Sequence, residues 1–239
     1  THAGRGLYDL SGGEAVRTGE AKEGIARIRD LSGPQTLQTY LDLTRSPGAG
    51  KYPGSPLIAA RLLRPDDRLI AIEKHPEEFA ELKKTLAIFA TTRVVEADGY
   101  ERLAALLPPP ERRGLVLIDP PYESDDEFER AANALIEAQR KFATGIYMLW
   151  FPIKSAAAAN AFAGEVANTG VSKLLRIDID LGTQPKGGKE RLSAAGLLIV
   201  NPPFGFAEEM RQIARILAPS LGRDGPAAIT VNWLSGAEN

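Results

Sequence analysis

The feature that most restricts how this chain can fold is the run from Gly114 to Tyr122. Its four apolar residues, Leu115–Ile118, are typical of a β-strand that is buried on both faces. Asp119, two prolines and a tyrosine follow directly, and neither proline can donate a hydrogen bond to a sheet. Ligands of open α/β sheets bind at the carboxyl ends of the strands. Asp119 and Tyr122 are therefore predicted to lie at a functional site.

Two further acidic residues follow apolar, strand-like segments in the same way. Glu73 is placed to accept hydrogen bonds from two ribose hydroxyls. Asp98 is placed to accept from an adenine amino group, and Gly99 would let a base lie against the backbone. A surface acid or a strand-ending turn gives the same pattern at each position taken alone. Because successive strand ends meet at one crevice, we expect Glu73, Asp98 and Asp119 to form one site.

Two short motifs near the beginning of the chain are also candidates for ligand contact. Gly4 and Gly6 indicate a tight turn at which backbone approaches a ligand, although an ordinary glycine loop has the same pattern. Ser55 and Pro56 suit the N-cap and the first position of a helix. The Ser55 hydroxyl and the free N–H groups would then either form a plain cap or face a ligand.

The remaining segments alternate between strand-like and helical patterns, which predicts an α/β fold. Residues 11–50 are polar and mostly helical in pattern, and we interpret them as a small insert within a single domain of residues 1–239. Residues 171–180 alternate as an edge or half-exposed strand does. A nucleotide-binding loop normally follows a strand, so we expect a first strand upstream of Thr1.

The tetrapeptide Asp119-Pro120-Pro121-Tyr122, here called the first tetrapeptide, resembles the signature of methyltransferases that act on an exocyclic amine of a base. Such an amine is a weak nucleophile because its lone pair is delocalised into the ring. The Asp119 carboxylate and the Pro120 carbonyl can each accept one amine hydrogen, and the fixed anion stabilises the growing positive charge. Asp119 can also take up the released proton. Tyr122 offers a flat face to a base removed from its stack.

A second tetrapeptide, Asn201-Pro202-Pro203-Phe204, fits the same pattern after the strand-like residues 194–200. Strand order favours the first tetrapeptide, since an amine-methylating motif belongs directly after the strand that carries the adenine-side acid. Asn201 comes three strands too late. We therefore predict that Asp119, Pro120 and Tyr122 are the catalytic residues.

Composition excludes several other classes of chemistry. The 239 residues include no Cys and two His, which removes disulfides and thiolate sites and disfavours a histidine metal cluster, so no metal is expected. A net charge of −2 argues against a strongly basic nucleic-acid binder. Contact with RNA would need a local patch, for which the loop 182–193 with Lys186, Lys189 and Arg191 is the best candidate. No signal peptide or bilayer-spanning run is visible, and we expect a cytoplasmic protein.

Along nearly its whole length the chain is similar to the bacterial 23S ribosomal RNA adenine-N6 methyltransferases of the RlmJ type. The similarity is carried by residues 1–8, 23–28, 52–59, 97–99, 112–114, 119–123 and 142–145. It implies a class I methyltransferase with a Rossmann-like, doubly wound and mostly parallel sheet. The family's amino-terminal segment, with its own His, Lys and Tyr near the ligands, has no counterpart in this sequence.

The resemblance also implies S-adenosylmethionine as cofactor and a monomer that acts on a stem-loop of 23S ribosomal RNA. With the glycine turn included, the expected cofactor contacts are His2, Gly4, Ser55, Glu73, Asp98, Gly99 and Asp119. Two alternatives remain open. One is methylation of another amine, such as DNA adenine or a protein glutamine amide. The other is a cofactor-binding module without turnover.

Overall fold

The computed structural model describes residues 1–11, 24–183 and 192–236. The chain forms two compact units, Thr1–Arg102 and Leu103–Asn239. Lys186, Lys189 and Arg191 of the predicted basic loop lie outside the described residues, as do residues 12–23 of the predicted insert. The single domain with an insert stays a prediction. No helix in the described ranges is long and apolar enough to cross a membrane.

The first unit contains two pairs of strands. Strand β1 is antiparallel to β2, and β3 is parallel to β4. Leu82 and Leu86, four residues apart on one helix, pack with Leu57, Ala60 and Ala71 into its core. The elements are β1 (Leu7–Asp9), α1 (Ile25–Ile28), α2 (Gln35–Arg45), β2 (Lys51–Pro53), α3 (Ser55–Leu62), β3 (Leu69–Glu73), α4 (Pro76–Leu86) and β4 (Thr92–Glu96); α5 (Gly99–Ala105) contains the boundary between the units.

The second unit is built on a five-stranded sheet with the order β5-β6-β8-β7-β9. Its core includes Leu175, Ile199, Ala207 and Val231. The elements are β5 (Leu115–Ile118), α6 (Glu127–Lys141), β6 (Ile146–Pro152), α7 (Ala156–Ala167), β7 (Leu174–Asp180), β8 (Ala194–Val200), α8 (Phe206–Leu221) and β9 (Ala228–Ser235).

The α/β class is confirmed, but the pairing is more mixed than a mostly parallel sheet. In the second unit β5 and β6 are parallel, whereas β8 is antiparallel to both β6 and β7, and β9 is antiparallel to β7. The sequence did not reveal these directions because a continuous apolar run indicates that a strand is buried, not which way it runs.

One prediction about strand environment is wrong in detail, and a second is confirmed. The side chain of Leu115 is 59% exposed, so β5 is not buried on both faces throughout. Within the second unit's sheet β5 is the end strand and pairs with β6. Strand β7 is half-exposed over Arg176–Ile179, which is one of the two environments that its alternating pattern predicts; it lies between β8 and β9.

Candidate active site

In the first unit, Glu73 ends β3 and holds the beginning of the chain. Ala3 donates its N–H to the carbonyl oxygen of Ile72 at 3.0 Å, so the first residues run beside the strand. Gly4 donates its N–H to Glu73 Oε2 at 2.7 Å, and His75 donates to Oε1 at 2.8 Å. The Glu73 residue is 8% exposed. A carboxylate has about four acceptor positions, so each oxygen can still accept from a ligand hydroxyl.

The predicted glycine turn is present next to Glu73. Gly4 and Gly6 have φ of +62° and +77°, a region that L side chains rarely adopt. The N–H of Gly54 donates to the carbonyl oxygen of Gly6 at 2.8 Å, which joins this turn to the beginning of α3. A Cβ atom at Gly54 would lie 2.9 Å from the Tyr8 ring, so the close approach requires glycine.

The predicted N-cap role of Ser55 is wrong by one position. Gly54 is the N-cap of α3, in an extended conformation and without a side-chain cap, and Ser55 is the first helical residue. The hydrogen bond from Gly54 to Gly6 fixes the entry to the helix, so no serine cap is needed there. Ser55 is exposed, and its predicted contact with the cofactor stays a prediction.

Asp98 follows β4 and accepts hydrogen bonds at both carboxylate oxygens. Tyr100 donates its N–H to Oδ1 at 3.0 Å, and Lys74 donates from Nζ to Oδ2 at 3.0 Å. Burial alone would raise the pKa of Asp98, but these hydrogen bonds outweigh it and lower the pKa below its ordinary value. Asp98 therefore supports the beginning of α5, and an adenine amine would share an oxygen that already has a partner.

The sequence predicts that a base of the ligand lies against the backbone of Gly99. In the structure the His2 ring lies at this position. A Cβ atom at Gly99 would be 2.8 Å from His2 Cε1. The His2 ring also meets the Tyr100 ring edge-on, with centroids 4.7 Å apart. In the first unit, residues 1–6 thus contact Glu73 through Gly4, Gly99 through His2 and Gly54 through Gly6. The expected cofactor contacts of His2, Gly4, Ser55, Glu73, Asp98 and Gly99 stay a prediction. Their meeting with Asp119, which belongs to the second unit, stays a prediction.

In the second unit, the first tetrapeptide follows β5 as predicted. Ile118 is fully buried, Asp119 is half-buried and Pro120 is buried. Burial raises the pKa of Asp119. Within the described part of this unit, no hydrogen bond to the Asp119 carboxylate is recorded. Its oxygens are consequently available as acceptors, in contrast to those of Asp98.

Tyr122 is held in a conformation that a tyrosine seldom adopts. Its φ is +54°, and such left-handed conformations cost on the order of 1–3 kcal/mol. The hydroxyl donates to the carbonyl oxygen of Trp150 at 2.8 Å. The ring packs against Phe128 and Trp150, with centroids 4.6 and 5.8 Å away. Stacking of Tyr122 on a base stays a prediction, but the surrounding contacts fix the ring's position.

Trp150 is a residue at this site that the sequence analysis missed. It lies near the carboxyl end of β6, the parallel neighbour of β5. Trp150 could have been found from the rule that the carboxyl ends of neighbouring parallel strands lie at the same end of a sheet. The tyrosine in the first tetrapeptide has its hydrogen-bonding partner at that edge.

The second tetrapeptide lies at the opposite end of the strands in the same sheet, where β5 and β6 begin. Ile118 pairs with Leu149 of β6, whereas Val200 of the antiparallel β8 pairs with Tyr147. Measured along β6, Asp119 therefore lies beside Trp150, and Asn201 lies beside Ile146, the first residue of that strand. Four residues of strand separate these levels, about 13 Å at ~3.3 Å per residue. This register places Asp119, unlike Asn201, at the carboxyl ends of the parallel strands β5 and β6, where a ligand site is expected; its catalytic role stays a prediction.

Asn201 has a structural role of its own. Its φ is +51°, and its Nδ2 atom donates to the carbonyl oxygens of Ala143 and Gly145, both at 2.8 Å. Its backbone N–H donates to the carbonyl oxygen of Lys173 at 3.0 Å. Asn201 therefore ties together the segments that precede β6 and β7, the first through its side chain and the second through its backbone.

We predict that Asn201→Asp, which would complete a second Asp-Pro-Pro-aromatic sequence, destabilises the protein without creating a catalytic site. A carboxylate cannot donate to the two carbonyls, so the free energy of unfolding should fall by about 1–3 kcal/mol. Denaturant unfolding measures that loss. If the first tetrapeptide is the catalytic one, the folded variant should keep the wild-type kcat for methyl transfer. A large loss of kcat at unchanged stability would contradict our choice of tetrapeptide.

Comparison with known proteins identifies the family. The family model described as Ribosomal RNA large subunit methyltransferase D, RlmJ, matches residues 1–235. The chain belongs to this family. It is 38% identical to the Ribosomal RNA large subunit methyltransferase J of Escherichia coli, and the match covers 98% of this chain and 85% of that protein. The protein of the same name from Haemophilus influenzae is 36% identical with the same coverage.

A solved structure supports the RlmJ-family fold. A crystal structure of a protein from Legionella pneumophila superposes with a TM-score of 0.88 at 33% identity and covers 100% of this chain and 87% of that one. The chain is thus an enzyme of a ribosomal RNA methyltransferase family, with the class I, Rossmann-like α/β fold that its resemblance to this family implies. In the described ranges no group of three or more His, Cys, Asp or Glu residues is arranged to hold a metal ion.

Proposed function

We propose that this protein transfers the methyl group of S-adenosylmethionine to the N6 amine of an adenine in 23S ribosomal RNA. We further propose that it acts in the cytoplasm as a monomer on a stem-loop. The observation that carries the proposal is the first tetrapeptide at the carboxyl end of β5 in a chain of the RlmJ family. There the half-buried Asp119 carboxylate has no recorded hydrogen bond in its own unit.

The proposal assigns cofactor binding to the first unit. Glu73 is fixed by two backbone N–H groups, so its carboxylate is oriented before a ligand arrives. Its remaining lone pairs suit two ribose hydroxyls. The glycine turn at Gly4 and Gly6 leaves no side chain between backbone and ligand. These groups fit an adenosyl moiety, and the bound cofactor supplies a methyl group on a positively charged sulfur.

The proposal assigns activation of the amine to the second unit. The Asp119 carboxylate accepts one amine hydrogen and the Pro120 carbonyl accepts the other, which aims the nitrogen lone pair. Two consecutive prolines keep that carbonyl at a fixed geometry. The carboxylate stabilises the positive charge that develops on nitrogen and then takes up the proton, directly or through water. The fixed ring of Tyr122 supports the base.

Substrate class is tested by methyl transfer from labelled S-adenosylmethionine to three acceptors. These are an unmodified 23S ribosomal RNA transcript, a DNA oligonucleotide of matching sequence and a glutamine-containing peptide. We expect label in the RNA alone, and N6-methyladenosine after digestion to nucleosides. Transfer to DNA or peptide in preference to RNA would show that the proposed RNA substrate is wrong. Cofactor binding in calorimetry without any transfer would favour a binding module.

The raised pKa of Asp119 predicts how the rate depends on pH. Only the ionised carboxylate offers both oxygens as acceptors, so kcat should fall as the pH is lowered. Because burial raises the pKa, the midpoint should lie above the ordinary aspartate value of about 3.9. Single-turnover rates measured from about pH 8 downwards, with circular dichroism to monitor folding, check this. A rate that stays constant until the protein unfolds would contradict the role of Asp119.

A further inference from the structure

The second tetrapeptide carries the most exposed large hydrophobic side chain among the described residues. Phe204 is 88% exposed. The neighbouring Pro203 is exposed as well. An aromatic ring left in water forgoes the stabilisation that its burial would give. The proposed reaction makes no use of this ring.

The segment that presents Phe204 is rigid. Three hydrogen bonds hold Asn201: its backbone N–H to Lys173 O, and its side-chain amide to Ala143 O and Gly145 O. Two prolines follow, and their rings restrict the backbone. Phe206 then donates its N–H to the carbonyl oxygen of Pro203 at 3.1 Å, and α8 begins. The ring is thus held outward by fixed backbone on both sides.

Basic side chains lie along the same edge of the sheet. Lys173 directly precedes β7, and its backbone is bonded to Asn201. Arg112 and Arg113 precede β5, and the next residue, Gly114, accepts a hydrogen bond from Ile146 at 3.0 Å. All three cations are exposed, and no ion pair is recorded for them within the described ranges. The nearby Glu208 on α8 is paired with Arg211 and Arg215.

We propose that Phe204, Lys173, Arg112 and Arg113 form a second RNA-binding surface, here called the far-edge surface, which contacts ribosomal RNA outside the methylated stem-loop. An exposed aromatic ring at the same end of the sheet as exposed cations suits an unpaired base and nearby phosphates. The positive charge of the three exposed cations favours RNA, which supplies phosphates, over an apolar protein surface with few acidic residues. The surface lies at the opposite edge of the sheet from Asp119, so an RNA held there must extend well beyond the target base. This inference rests on the proposed function, since it takes ribosomal RNA as substrate.

The test compares Phe204→Ser with wild-type protein on two RNAs: a full 23S ribosomal RNA transcript and the shortest hairpin of it that wild-type protein methylates. Loss of one stacked base should raise the KM for the transcript about 5–100-fold. We expect kcat, and the KM for the hairpin, to stay unchanged. Phe204→Tyr, which keeps a stacking face, should behave as wild type. Ile88→Ser is the matched control, because Ile88 is an apolar side chain that is 84% exposed in the first unit.

The cations are tested by salt dependence. Transcript binding is measured by fluorescence anisotropy at several salt concentrations. Lys173→Ala combined with Arg113→Ala should reduce the slope of log affinity against log salt concentration by the equivalent of about two phosphate contacts. Equal transcript binding by wild type and Phe204→Ser would overturn the inference. So would an equal loss on both RNAs, or a change of oligomeric state in sedimentation, which would make this edge an interface between copies. Failure of wild-type protein to methylate either RNA would instead refute the proposed function, while the binding comparison would still decide this inference.

Discussion

Asp119→Ala should reduce kcat for methyl transfer by about 10³-fold while leaving cofactor affinity within a few-fold of wild type. The carboxylate is the acceptor that orients the amine and the anion that offsets its growing charge, and no other carboxylate stands in the first tetrapeptide. Rapid-quench single-turnover kinetics with saturating RNA measure the chemical step. Calorimetry with S-adenosylmethionine measures binding separately.

Two matched variants make the Asp119 result specific. Asp119→Asn keeps the shape and one acceptor oxygen but loses the charge, so it should retain more activity than alanine and lose the acid limb of the pH profile. Asp125→Asn removes an exposed carboxylate six residues away and should leave kcat unchanged. Near-normal turnover by Asp119→Ala would show that the amine is activated elsewhere. Removing a half-buried charge with no recorded hydrogen bond in its own unit should not lower stability, and thermal unfolding of the variant checks that a loss of rate is not a loss of folding.

Sequence alone predicted the elements of the site better than its contacts. Strands β3, β4 and β5 and the residues that end them were predictable because apolar runs and chain-breaking residues are local signals. The direction of β8 was not, since its seven residues indicate burial in either orientation. That direction places the second tetrapeptide at the far edge of the sheet, which no local pattern could have indicated.

The details of each site residue depend on partners distant in sequence. The backbone N–H that fixes Glu73 comes from Gly4, 69 residues away, and the carbonyl that fixes Tyr122 belongs to Trp150. The left-handed conformation of Tyr122 has no sequence signal, because proline neighbours do not require it. By contrast the positive φ of Gly4 could be anticipated, since glycine is the residue that adopts it at least cost.

Glu73→Gln should weaken cofactor binding by about 10–100-fold and lower the stability of the first unit by about 1–2 kcal/mol. Both Glu73 oxygens accept from backbone N–H groups, those of Gly4 and His75. A glutamine must turn its NH₂ group toward one of these donors, which leaves that N–H without an acceptor and disturbs the glycine turn. It also replaces a charged acceptor of the ribose hydroxyls by a weaker neutral one.

Calorimetry with S-adenosylmethionine and thermal unfolding with and without the cofactor separate the two effects of Glu73→Gln. If the carboxylate contacts the ribose, the cofactor should raise the melting temperature of the variant less than that of wild type at equal concentration. Glu77→Gln, an exposed glutamate at the beginning of α4, is the control and should match wild type. Wild-type affinity in a destabilised Glu73→Gln variant would assign this carboxylate to holding residues 1–6 alone. The ribose hydroxyls would then need a different acceptor in the first unit, and Asp98 could serve by sharing the oxygens that already accept from Tyr100 and Lys74.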